Sequence, residues 1–351
     1  MVGPLNKPFI VAEIGANHNQ NLTRALETIQ AAAKAGADAV KFQTWMPGTM
    51  CLDRSYTTTW QGKEVSLADL YAEAWTPWEW HSQLFAEARR LGLVAFSTPF
   101  DKASVDFLET LSCPIYKIAS FELVDLPLIR YVASKGKPMI MSTGMATKEE
   151  IQQAILCLSG HEVPWRNITL LKCTSAYPAD ASAANLASMA MMGVSVDCAF
   201  GLSDHTPGIG VAIAAAALGA SVIEKHFTLS RADGGLDSEF SLEPHEFAQM
   251  VTECRRAAAS IGEVRYGPGP GESTALRRSL YWVRDLPAGH RIGPEDIVTA
   301  RPALGLPCSN FDKLTCGGVK VAKAVERGRP VSVGEFTVDL PKDFFSHAQG
   351  R

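Results

Sequence analysis

The stretch VSVDCAFGLSDHTPGIGVAIAAAALGASVIEKHF, residues 194–227, decides the fold. An apolar run ends in Ser203, Asp204 and His205, glycines and Pro207 turn the chain, and a second apolar run ends in Glu224 and His226. Between them lies the alanine-rich run 209–223. It is too short to span a bilayer, which takes about 20 residues, and reads as a buried helix. A turn needs only its glycines and proline, so three polar side chains at the end of an apolar run require a separate explanation.

The same unit recurs outward in both directions. Strand candidates lie at 7–15, 37–44, 92–98, 114–120, 137–143, 168–173, 194–204 and 220–227, eight in all. Between them run segments of helical spacing, such as TRALETIQAAAKAGA and PHEFAQMVTECRRAAASIG. Eight strand-then-helix units predict a parallel (β/α)8 TIM barrel within an α/β chain, a doubly wound sheet being the alternative. One long insertion, 45–80, carries Trp45, Trp60, Trp75, Trp78 and Trp80. These either line a substrate pocket above a barrel strand or pack as a surface helix. The barrel is expected over 1–264 and a glycine- and proline-rich linker over 265–276. A small β-rich domain is expected over 277–351, too small to be more than marginal without support from the barrel or a partner.

Composition excludes other classes. The chain has 351 residues, a net charge of −4 and a pI near 6.1, with no basic stripe, so no nucleic-acid partner is expected. No membrane span is expected, and the N-terminus lacks the pattern of a signal peptide, which makes the cytoplasm the expected location. Eight scattered cysteines without a C-x-x-C pair read as buried reduced thiols. Neither the phosphate-loop nor the dinucleotide fingerprint is present.

A barrel delivers the C-terminal ends of its strands to one rim, where active sites of this fold sit. Those ends are Glu13; Lys41 and Gln43; Ser97 and Thr98; Lys117 and Ser120; Ser142 and Thr143; Lys172 and Thr174; Ser203 and His205; Glu224 and His226. Lysines in apolar strands are costly unless paired, so several of them, with hydroxyls beside them, point to a bound anion such as phosphate. His205 and His226 end consecutive strands and could share a divalent ion of the manganese, iron or zinc kind, weakly held if water completes its shell. Together these features suit a small phosphorylated substrate and metal-assisted carbon–carbon bond formation or hydrolysis.

The motifs AEIGANHNQ, AVKFQT, FSTPFD, YKIASFE, MSTGMAT, GLSDHTPGIG and VIEKHFTLSRADGGLDSEFS resemble, in order, those of the sialic acid synthase family, and the tail from about 277 resembles its antifreeze-like (SAF) domain. The resemblance implies condensation of phosphoenolpyruvate with an N-acetylated amino sugar to give a nine-carbon 2-keto acid and phosphate. It implies that His205 and His226 hold Mn²⁺ or Mg²⁺, and that Lys41, Thr98, Lys117, Ser120, Ser142 and Ser203 bind phosphoenolpyruvate. Glu13 and Glu122 become the candidates for proton transfer, their roles interchangeable at this point, while Gln43, Tyr177 and Asp237 match sugar-contacting positions. Arg301, in TARPALG, matches an arginine that reaches a partner's active site, which implies a homodimer with swapped C-terminal domains. Two departures matter. Ser175 stands where N-acetylneuraminate synthases commonly have asparagine. The insertion WQGKEVSLADLYAEAWTPWEWH, like RPALGLP, looks like the pseudaminic acid synthase branch, whose sugar is a 6-deoxy diacetamido hexose. An N-acetylneuraminate or legionaminic acid synthase is the near rival. The remoter ones are a Schiff-base aldolase using Lys117 or Lys172 and a non-catalytic ice- or carbohydrate-binding protein. Asp204 is left between orienting an imidazole and capping the next helix.

Overall fold

Each of the eight apolar runs forms a strand of one closed, all-parallel barrel in the computed structural model, which describes residues 7–60, 62–158, 160 and 163–337, with the side chains of 193–195 left aside. The strands are β1 Phe9–Glu13, β2 Ala39–Thr44, β3 Val94–Pro99, β4 Tyr116–Ile118, β5 Met139–Ser142, β6 Ile168–Cys173, β7 Ala199–Asp204 and β8 Val222–His226. Neighbours in sequence are neighbours in the barrel, and β1 closes on β8 in a register that sets Glu13 opposite His226. Closure removes the doubly wound alternative. Strands covered on both faces are apolar over most of their length and carry their polar residues mainly toward the C-terminal ends, which is why they read as apolar runs ending polar.

The helices follow their apolar stripes. Leu22–Lys34 starts at Asn21, whose side chain accepts from the Arg24 amide, and buries Ala25, Thr28, Ile29 and Ala32. Pro244–Ile261 buries Phe247, Met250, Val251, Cys254 and Ala258 at the same spacing. The alanine-rich run forms the helix Gly210–Ala217, buried through Ala212, Ala215 and Ala216. One boundary differs from expectation. Residues 194–196 belong to the helix Leu186–Val196, and Asp197, with a φ of 55°, turns the chain before β7 begins at Ala199. The valines there look strand-like, but the helix begun upstream includes them.

Gly201 lets β7 and β8 lie close: a Cβ there would sit 2.1 Å from the carbonyl oxygen of Val222. The insertion folds as a hairpin, Thr57–Trp60 against Lys63–Ser66, with helices Leu67–Ala74 and Trp78–Arg90 after it. Three of its tryptophans pack structurally. Trp45 is buried edge-on against Phe100, Trp78 stacks on Phe107 at 4.3 Å, and Trp80 meets His18 edge-on.

Contacts divide the chain into two units, Met1–Glu263 and Val264–Arg351. In the second, strands Ser279–Trp282 and Ile297–Ala300 pair antiparallel over a core that includes Leu280, Trp282, Ile297, Leu314 and Val331. Nearly all of 265–276 is exposed. The last part of the expected small domain, 338–351, lies outside the described residues. All eight cysteines are free thiols, but only Cys113, Cys173 and Cys254 are buried and Cys316 is exposed, so general burial of the thiols does not hold. Among the described residues no helix is long and apolar enough to cross a membrane.

Candidate active site

Side chains alternate along a strand, and that period sorts the polar strand ends into two groups. Ser203, Glu224, Lys41 and Lys117 meet inside the barrel. Asp204 and Lys225 meet on its outer side, where the Lys225 ammonium donates to Asp204 Oδ2 at 2.8 Å and to the Thr206 carbonyl. Asp204 also accepts from the Thr206 amide at 2.9 Å and hydroxyl at 2.8 Å. It therefore holds a buried ion pair and its own turn, and orients neither imidazole. Ser97 bonds Thr44, Thr143 bonds the Leu171 carbonyl, and Lys172 bonds the Cys173 carbonyl at 2.8 Å. These strand ends serve the barrel's own structure.

Inside, charges alternate along one line. Glu13 Oε2 lies 2.8 Å from Lys41 Nζ, which is 3.6 Å from Glu224 Oε1, and that oxygen is 3.2 Å from Lys117 Nζ. Ser203 donates to Glu224 at 3.1 Å, Lys41 donates to Thr98 at 3.4 Å and Gln43 donates to Glu13 at 2.7 Å. All four ions are buried. Burial raises the Glu13 carboxyl above its usual range, against the pull of Lys41. At Glu224 burial pushes the same way, but Lys117 and Lys41 outweigh it and hold the carboxyl near 2. Burial lowers Lys117, whereas at Lys41 the two carboxylates outweigh burial and raise it.

Beside Lys117 lies a cradle of hydroxyls. Ser120 Oγ accepts from the Gly144 amide at 3.1 Å, and the hydroxyls of Ser142 and Ser175 are buried without a partner. A Cβ on Gly144 would lie 2.2 Å from Ser175 Oγ and 2.8 Å from Ser120 Oγ, so the bare backbone belongs to the cradle. Orphaned buried hydroxyls beside an ammonium are what an anion's oxygens would satisfy.

The imidazoles of His205 and His226 face each other at 5.3 Å. His205 Nδ1 donates to the Thr174 carbonyl at 2.9 Å, which turns Nε2 toward the chamber as the nitrogen able to take an ion. Burial lowers the His205 pKa, but Cys173 and the Thr174 carbonyl outweigh it and raise it above the ordinary value. His226 Nδ1 is buried without a hydrogen-bond partner, 3.6 Å from Asp237 Oδ2. Burial, with His205 and Lys41 nearby, lowers its pKa far below the ordinary value and keeps it neutral. Asp237 is held by the Ala16 amide at 2.9 Å over Gly15, where a Cβ would meet its carboxylate at 2.2 Å. Among the described residues no set of three or more His, Cys, Asp and Glu is arranged for a metal, so an ion here would rest on the two imidazoles and complete its shell with substrate or water.

Tyr177 lies 4.3 Å from the His205 ring and 5.2 Å from Phe240. Glu122 is on the loop after β4, its Oε2 buried without a partner and its pKa raised to about 7 by burial. The structure thus brings Glu13, Lys41, Gln43, Thr98, Lys117, Ser120, Ser142, Ser203, His205 and His226 to one chamber, with Tyr177 and Asp237 at its imidazole end. Arg301 is exposed and belongs to the second unit. Phe240 and Cys173 had not been singled out; Glu224 had been named only as a strand end and is the hub of the ion line, and Ser175 had been named only as a departure from asparagine and belongs to the cradle. The Cys173 thiol lies 3.8 Å from His205 Nδ1; burial opposes its ionisation, yet His205 draws its pKa down to about 7. Period two places Glu224 on the face of His226 and would have found Cys173 on the face of Leu171. Phe240 comes from a loop that no strand pattern marks.

A model of the NeuB family matches residues 28–266 and a SAF domain model matches 277–334. A pseudaminic acid synthase of Helicobacter pylori is 42% identical over 96% of this chain and 100% of its own length. An N,N'-diacetyllegionaminic acid synthase of Campylobacter jejuni is 35% identical over 88% of this chain and 95% of its own. Among solved structures, an N-acetylneuraminic acid synthetase from Leptospira borgpetersenii, in complex with citrate, superposes with a TM-score of 0.69 and 32% identity, covering 76% of this chain and 88% of that one.

Proposed function

We propose that this chain, which belongs to the NeuB family, is a pseudaminic acid synthase: it condenses phosphoenolpyruvate with 2,4-diacetamido-2,4,6-trideoxy-L-altropyranose, giving pseudaminic acid and phosphate by cleavage of the C–O bond. The observation that carries this reading is the cradle of Lys117, Ser120, Ser142, Ser175 and the Gly144 amide, whose orphaned hydroxyls suit an anion, together with the facing imidazoles of His205 and His226. The greater identity to the pseudaminic than to the legionaminic relative supports the choice of sugar.

In this reading Lys41, Thr98, Lys117, Ser120, Ser142 and Ser203 bind the phosphate and carboxylate of phosphoenolpyruvate, and fixed donors replace its water at no further reorganisation cost. His205 and His226 would hold a divalent ion, Mn²⁺ or Mg²⁺, and such an ion would supply Lewis-acid polarisation of the sugar aldehyde. Gln43, Tyr177 and Asp237 orient the sugar so that its C1 faces C3 of the enol. The new carbon–carbon bond forms as the enol electrons move to C1, the aldehyde oxygen takes a proton, water adds at C2, and phosphate leaves with the bridging oxygen. Glu13, raised by burial and 2.8 Å from Lys41, and Glu122, near 7, are the groups able to give or take those protons. A Schiff base is the poorer reading: Lys172 is engaged by backbone and Lys117 by Glu224.

Arg301 is expected to enter the sugar site of a second copy through a swapped SAF domain. The enzyme would then be a homodimeric transferase of the 2.5.1 type working in the cytoplasm. The test is to incubate the protein with phosphoenolpyruvate, Mn²⁺ and each candidate sugar. Phosphate release with a nine-carbon keto acid from the diacetamido altrose supports the assignment, and faster turnover of N-acetylmannosamine or the legionaminic precursor would overturn it.

A further inference from the structure

We infer that Trp60, on the hairpin inserted between β2 and β3, is a sugar-contacting residue whose indole N–H donates to an acetamido oxygen of the substrate. The inference rests on the reading above that the chamber takes an N-acetylated sugar. Trp60 ends the first hairpin strand, paired with Lys63 across the turn, and its ring lies 5.9 Å from that of Tyr177. Tyr177 in turn touches His205 and Phe240, and Phe240 lies 4.9 Å from His226. Three aromatic rings therefore run from the hairpin to the imidazole pair as one apolar wall.

Along that wall the Trp60 indole nitrogen is buried and has no hydrogen-bond partner. A buried donor without an acceptor is costly, so its presence beside a substrate chamber points to an acceptor that arrives with the ligand. Trp45 and Trp78, on the same insertion, donate to the carbonyls of Tyr71 and Trp45. Trp75 shares the unpartnered nitrogen but, among the described residues, no ring contact with Tyr177. The acceptor that suits Trp60 is uncharged, because the lysines at the other end of the chamber hold the anionic partner. It also carries a methyl group, because the surroundings are aromatic. An acetamido carbonyl has both properties, and a hydroxyl has only the first.

Trp60→Phe keeps the ring and removes the donor, while Trp60→Ala removes both. Steady-state kinetics would use the N-acetylated sugar that the wild type condenses best, together with analogues in which one acetamido group is replaced by hydroxyl. Trp60→Phe should raise the sugar KM about tenfold, a factor equivalent to about 1.4 kcal/mol, with kcat and the KM for phosphoenolpyruvate unchanged. That factor should vanish on the analogue lacking the contacted acetamido group, and Trp60→Ala should lose more than Trp60→Phe on every sugar. A wild-type sugar KM in Trp60→Phe, or an equal loss on all analogues, overturns the inference while the synthase assignment stands. A wild type that condenses no N-acetylated sugar overturns both.

Discussion

Replacing Lys225 by methionine removes an ammonium that is wholly buried and donates to Asp204 at 2.8 Å and to the Thr206 carbonyl. The Asp204 carboxylate keeps two donors, the amide and hydroxyl of Thr206, but loses its counter-charge in a site with almost no solvent. Stranding one member of such a pair costs about 3–5 kcal/mol. Asp204→Asn strands the ammonium instead and should cost a similar amount. The double variant strands neither, so its cost should fall well short of the sum, with a coupling on the order of 2–3 kcal/mol. Urea unfolding of the four proteins, taking the transition of the barrel unit, measures the cycle. Singles that each cost under about 1 kcal/mol, or a double equal to their sum, would refute the reasoning. The pair also faces away from the chamber. The folded Lys225→Met protein should therefore keep its KM for both substrates, and a large change in either would show that the alternation has been misassigned.

Gly144→Ala should raise the KM for phosphoenolpyruvate by tenfold or more while sparing that for the sugar, because its Cβ would collide with the Ser175 and Ser120 hydroxyls; steady-state kinetics decide it. Glu122 keeps its proton in the folded state up to about pH 7 against 4.5 when unfolded, so its contribution is present at low pH and is lost as pH rises from 4.5 through 7. Glu122→Gln should accordingly gain stability over the wild type between pH 5 and pH 8. The shift alone sets a ceiling of about 3 kcal/mol, and partial exposure brings the expectation to about 1–2 kcal/mol, readable in paired denaturant titrations. Chelation with EDTA should abolish condensation and Mn²⁺ or Mg²⁺ should restore it, with far-UV circular dichroism unchanged, since the barrel closes through its own strand pairing and the aromatic packing of the imidazoles does not depend on the ion. Mixing Arg301→Ala with His226→Ala subunits should restore about a quarter of wild-type activity if the arginine acts in the partner's site, and a mixture as inactive as its components would exclude the swap.

The barrel was legible because each of its strands opens on an apolar run and is followed by a helical segment; the eight runs needed no tertiary information. The start of β7 was not, since Val194 and Val196 have strand-like side chains and only the upstream helix recruits them. The chamber was legible to the extent that chemistry sits at strand ends, which brought out Lys41, Lys117, Ser203, His205 and His226. Within those ends, an outward residue such as Ser97 or Lys172 is told from an inward one only by phase. The phase of a strand is known once its partner is known, which is how Glu224 is recognised as the hub. Phe240 and the Ser175 hydroxyl are placed by loops, whose paths follow from packing rather than from period.

The alternation in Ser203, Asp204 and His205 has a consequence for how such a gene tolerates change. Substitutions act on one face at a time, so the chamber can be retuned while the shell of helices keeps its ion pair. Loss or gain of a single codon within 199–203 has no such freedom. It would turn Asp204 toward the phosphate cradle and carry Ser203 and His205 out among the helices, exchanging the two sets in one event. Lineages of this enzyme are therefore expected to vary in length in their loops, the hairpin of Trp60 included, while the strands between them keep their length to the residue.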